Sequence, residues 1–114
     1  MKTLDQAKLT EIERESVKEA ARVLTSELPV TRVILFGSKA RGDAEPDSDI
    51  DLLVLTSCPV TTELRHEITH RLCGINLDYD VCLSRIAVSE EEWESGLIRH
   101  MPIQNNIERE GCMV

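Results

Sequence analysis

The chain has 114 residues, 41% hydrophobic and 30% charged, which suits one soluble domain with a single core. Twenty-one Asp and Glu against thirteen Lys and Arg leave a formal net charge of -8, which repels a polyphosphate backbone and excludes broad electrostatic binding of long nucleic acid. The three aromatics, Phe36, Tyr79 and Trp93, are too few for a base-stacking platform, and no run approaches the ~18 apolar residues of a membrane span.

Thr10 and Glu13 have capping-box spacing and predict a helix start. Ile12, Ser16, Ala20, Val23 and Leu24 then form its buried stripe, and Pro29 ends it. A β-branched run from Thr31 to Phe36, closed by Gly37, predicts a strand, and Ser38 to Arg41 a short helix broken at Gly42. Residues 43–48 have loop composition, and Ile50 to Leu55 is the next strand. Leu64, Ile68 and Leu72 mark a helix from Thr62 to Cys73, and Asn76 to Ser84 is taken as a third strand. Ser89 and Glu92 form a second capping box and start a helix through Trp93. A last helix from about Leu97 is interrupted or restarted at Pro102 and ends at Gly111. Its Ile98, Met101, Ile103 and Ile107 are counted as core, as are Trp93 and Tyr79 as core or edge packing. Strands alternating with helices give a single domain over residues 1–114, a small sheet covered by helices.

Two pairs of acids break the apolar pattern. Asp49 and Asp51 flank Ile50 at the head of a strand, so their carboxylates share one face about 7 Å apart. Two carboxylates side by side repel unless a cation sits between them, and hard oxygen ligands at this spacing suit Mg²⁺ with substrate phosphates. Asp78 and Asp80 repeat the spacing on the expected third strand, and either could complete the site; Asp80 is preferred because an apolar run follows it, as one follows Asp51. Upstream, Gly37 lets a ligand approach the backbone closely, and the Ser38 hydroxyl can donate to a phosphate oxygen. Lys39 and Arg41 add positive charge there.

The run Gly37-Ser38-Lys39-Ala40-Arg41-Gly42-Asp43, followed by Asp47-Ser48-Asp49-Ile50-Asp51-Leu52-Leu53-Val54, resembles the signature of DNA polymerase β-type nucleotidyltransferases. It is closest to their minimal single-domain branch, the MNT proteins encoded beside HEPN toxins. The resemblance covers nearly the whole chain, including Asp80-Val81-Cys82-Leu83; Lys39 departs from the family's usual Arg. It implies an α+β fold with a small mixed sheet. It also implies that Gly37, Ser38, Lys39 and Arg41 bind the nucleotide, and that Asp49, Asp51 and Asp80 hold one or two Mg²⁺ ions and carry catalysis. The implied reaction transfers AMP from ATP to a tyrosine of a cognate HEPN ribonuclease toxin, within a hetero-oligomer. The competing readings are an antitoxin that acts by binding alone, and transfer to an RNA end or a small molecule.

His66-Glu67-Ile68-Thr69-His70 matches the zinc-protease string H-E-x-x-H, but both histidines fall away from the Leu64/Ile68/Leu72 stripe, as surface residues would. No secretory signal is visible at the first residues, and the cysteines Cys58, Cys73, Cys82 and Cys112 form no C-x-x-C. Free thiols and a cytoplasmic location are expected.

Overall fold

The computed structural model describes residues 1–95 and 101–114. Helix α1 (Glu11–Glu27) leads into strand β2 (Val30–Phe36), the short helix α2 (Ser38–Arg41) and strand β3 (Ile50–Thr56). Helix α3 (Thr62–Tyr79), strand β4 (Leu83–Ser89), and helices α4 (Glu90–Ser95) and α5 (Pro102–Glu110) follow. Two-residue strands close the ends, β1 (Lys2–Thr3) and β5 (Cys112–Met113). The five strands form one mixed sheet in the order β1-β5-β2-β3-β4. β2 runs antiparallel to β3 and β5, whereas β3/β4 and β1/β5 are parallel.

Alternation along β3 divides its side chains between two layers. Ile50, Leu52 and Val54 pack with Val17, Ala20 and Leu24 of α1 and Leu64, Ile68 and Leu72 of α3. Leu53 and Leu55 face the other way, onto Trp93 of α4 and Ile107 of α5. Asp51 has their parity, so it stands on the α4/α5 side of the sheet.

The first capping box is complete and the second is made on the Ser89 side. Thr10 Oγ1 accepts from the Glu13 N–H at 3.1 Å while Glu13 Oε1 accepts from the Thr10 N–H at 2.9 Å. The Ser89 hydroxyl accepts from the Glu92 N–H at 3.1 Å. The stripe of α1 departs from expectation at one position: Ile12 is 59% exposed, and Val17 takes its place in the core. Of the apolar residues expected in the core here, Ile107 on α5 is buried and Met101 and Ile103 are exposed, while Ile98 and Leu97 lie outside the described residues.

The expected strand over 76–84 is not formed. Helix α3 continues six residues past Cys73, because Ile75 extends the stripe of Leu64, Ile68 and Leu72 at helical spacing. Leu77, which a strand would bury, is 85% exposed. Asp80 ends the helix in the left-handed conformation (φ 53°, ψ 52°), a cap that Asp tolerates better than most side chains. The Asp80 and Val81 N–H groups both donate to the Asn76 carbonyl. The strand begins only at Leu83, where the Asn76 amide reaches across: its Oδ1 accepts from the Leu83 N–H at 2.8 Å and its Nδ2 donates to the Leu83 carbonyl at 3.4 Å. That amide imitates a neighbouring strand at the start of the β4 edge and blunts it against pairing with another chain.

Gly74 sits within α3 with open space where a Cβ would go. Gly74→Ala is therefore expected to stabilise the fold by about 0.5–1 kcal/mol through helix propensity alone, read as a rise of several degrees in Tm.

Candidate active site

The antiparallel register of β2 and β3 sets Phe36 opposite Asp51, which delivers the next residue, Gly37, to the Asp51 carboxylate. A Cβ on Gly37 would lie 2.4 Å from Asp51 Oδ2. The turn closes so tightly because Gly37 adopts φ 79°, ψ -158°, a conformation open essentially to glycine alone. Ser38 follows immediately as the first residue of α2, half-buried, which puts it one residue from the turn that closes on the Asp51 carboxylate at one end of the sheet.

The second oxygen of Asp51 is held from the other side. The parallel register of β3 and β4 places Ser84 beside Asp51, and the Ser84 hydroxyl donates to Oδ1 at 2.6 Å. Asp49 is exposed, just ahead of the strand and near the Cys82 thiol. The Asp49 carboxylate, with burial and the charge of Asp51, pushes that thiol above its ordinary range. Among the described residues neither Asp49 nor Asp51 is in an ion pair. Two hard carboxylates two residues apart, one of them oriented by the Ser84 hydroxyl and neither with a basic partner, are a donor set that fits Mg²⁺.

The third acid does not join them. Asp78 lies exposed on α3, and Asp80 caps it. Asp80 lines a cavity of about 500 Å³ with Asp47, Ser48, Tyr79 and Glu13. Among the described residues no three His, Cys, Asp or Glu side chains converge on a metal position, which also disposes of the H-E-x-x-H string; His66 and His70 are exposed on α3. The i, i+2 spacing of Asp78 and Asp80 imitated a strand because it fell across a helix end. Ser84 and Cys82, which do lie beside the carboxylate pair, become legible only once β4 is placed parallel to β3.

Lys39 has a partner of its own. It is buried, 5% exposed, with its Nζ 2.8 Å from Glu13 Oε2. Burial raises the Glu13 pKa, but bonds from Lys39 and from Thr10 outweigh it and hold the carboxyl below its ordinary 4.5. A lowered carboxylate pKa adds stability above the unfolded value that is lost as pH falls through the folded one. Glu13→Gln should accordingly flatten the loss of stability below about pH 4.5, measured as Tm against pH. Arg41 remains at the turn: it lines a cavity of about 190 Å³ with Phe36, Gly37 and Ile107. Its guanidinium bonds Asp43 at 3.2 Å and Glu110 at 3.4 Å.

Comparison with known proteins assigns this five-stranded mixed sheet and its helices to a family. The family model described as "Nucleotidyltransferase domain" matches residues 17–108. The chain belongs to the nucleotidyltransferase domain family. A provisionally named protein adenylyltransferase of Methanocaldococcus jannaschii is 37% identical over 78 residues, 68% of this chain and 77% of that protein. Among solved structures, a provisionally named minimal nucleotidyltransferase superposes with a TM-score of 0.64 at 23% identity, covering 94% of this chain and 99% of the other. A complex described as a tri-AMPylated HEPN toxin of Shewanella oneidensis with its MNT antitoxin gives a TM-score of 0.53 at 16% identity, covering 88% of this chain and 69% of that one. These likenesses establish the minimal nucleotidyltransferase fold and make this nucleotidyltransferase an enzyme by family. No helix among the described residues is long and apolar enough to cross a membrane.

Proposed function

We propose that this nucleotidyltransferase transfers AMP from ATP to a protein acceptor, a tyrosine of a cognate HEPN-type toxin, in the cytoplasm. The observation that carries the reading is the closure of the Gly37 turn on Asp51, which would bring a phosphate chain held at Ser38 beside the acidic pair. Gly37 offers an approach unobstructed by a side chain, the Ser38 hydroxyl donates to a phosphate oxygen, and Arg41 supplies positive charge beside the turn. Asp49 and Asp51 would hold one or two Mg²⁺ ions, which supply charge neutralisation for the phosphates and for the attacking oxygen. The acceptor oxygen forms a bond to the α-phosphorus, the bond from that phosphorus to the bridging oxygen breaks, and pyrophosphate leaves while the hydroxyl proton passes to solvent. Ser84 keeps the Asp51 carboxylate in place throughout, and no third acid is required by the arrangement.

The protein acceptor is favoured by the net charge of -8, which opposes docking of an RNA end. Incubation with α-labelled ATP, Mg²⁺, the toxin encoded alongside and a short RNA is the test. Label on a toxin tyrosine is the expected result; label on the RNA, or on neither, overturns the reading. The structural neighbour described as a tri-AMPylated toxin complex supports that choice of acceptor.

A further inference from the structure

The first thirteen residues grip α2 at three successive points. Lys2, in β1, donates from Nζ to the Ala40 carbonyl at 3.1 Å. The stem of Lys8 lies against Gly42, 3.1 Å from where a Cβ would be. Glu13 takes Lys39 in the buried ion pair, and its other oxygen is fixed by the Thr10 N–H. Lys2, Lys8 and Glu13 all precede the region matched by the nucleotidyltransferase model, which begins at residue 17. A four-residue helix cannot hold its own direction, because one turn of backbone bonds does not offset the entropy of ordering it. Its orientation must come from what grips it, and the strongest grip is the one on the residue next to Ser38.

We propose that Glu13 is a positioning residue for the nucleotide: through its buried ion pair with Lys39 it sets the direction in which α2 presents Ser38 to the phosphates. The proposal rests on the nucleotide reading above. Lys39 does not act as a phosphate ligand here, since its charge is satisfied by Glu13. A displacement of Ser38 by about 1 Å is enough to weaken binding tenfold or more.

The test is binding of a non-hydrolysable ATP analogue with Mg²⁺ by calorimetry, alongside thermal melting. The double variant Glu13→Gln/Lys39→Met leaves no unpaired buried charge, and Gln can still complete the capping box. It is expected to melt close to the wild type yet bind the analogue at least tenfold more weakly. Glu13→Gln alone, which frees the Lys39 charge, is expected to weaken binding too, whereas a lysine acting directly on phosphate would tighten it. Lys39→Arg, which keeps the pair, should restore affinity to within about threefold. Wild-type affinity in the double variant, or tighter binding by Glu13→Gln, overturns the proposal alone. Absence of analogue binding by the wild type overturns the nucleotide reading and this proposal together.

Discussion

Replacing Asp49 and Asp51 together with alanine should lower the rate of adenylyl transfer by about 10³-fold or more, equivalent to about 4 kcal/mol of transition-state stabilisation. The chain should remain folded. Asp49 is exposed, and Asp51 is half-buried with one side-chain partner, the Ser84 hydroxyl. Losing that acceptor costs about 1 kcal/mol. The same substitution removes the repulsion between two carboxylates two residues apart that have no opposing charge within the described part of the chain. The two effects oppose, so the Tm without metal should move little. Mg²⁺ should then raise the Tm of the wild type and not of the variant, since a ligand stabilises only the form that binds it. Asp51→Asn sharpens the test, because it keeps an oxygen for Ser84 and removes the charge. Comparable inactivity in Asp51→Asn would assign the loss to charge, and transfer at the wild-type rate by the double variant would show that the acidic pair does not carry the chemistry.

The part of this site that could be read from the sequence was written in local patterns. Gly37 and Ser38 follow a β-branched run, and Asp49 and Asp51 interrupt an apolar one; both signals lie within a few residues of the structure they report. The breaks at Gly37 and Gly42 and the capping box of Thr10 and Glu13 follow from backbone preferences that need no tertiary context. What depended on distant partners was not legible in the same way. Asp80 could be placed only by knowing where α3 stops, and that is decided by Ile75 reaching the core and Asn76 reaching Leu83. Strand β5 is two residues long and exists because β2 and β1 are there to pair with it. Lys39 looked like a phosphate ligand because it follows Ser38 directly, yet successive helical residues point in directions about 100° apart. A side chain next to a catalytic one is for that reason a poor candidate for sharing its face. Glu13, which captures Lys39, lies 26 positions earlier in the chain and carried only a capping signal.

Gly37→Ala should damage both the fold and the site. At φ 79°, ψ -158° an L-residue is strained by about 1–3 kcal/mol before it touches anything. The new carbon would also stand 2.4 Å from Asp51 Oδ2, which no real contact sustains. Either the turn retreats or the carboxylate does. If the turn retreats, Ser38 leaves the place proposed for the phosphates; if Asp51 rotates, its 2.6 Å bond from Ser84 breaks and the acidic pair comes apart. Both routes lead to the same measurable result: a fall of roughly 10²-fold or more in transfer rate, a lower Tm, and weaker stabilisation by Mg²⁺ with the ATP analogue. Gly74→Ala is the matching control, since it adds the same methyl in open space on α3 and should raise the Tm without touching the rate. Retention of wild-type transfer by Gly37→Ala would mean that the turn and the carboxylate do not act together, and the closure of one upon the other would lose its functional meaning.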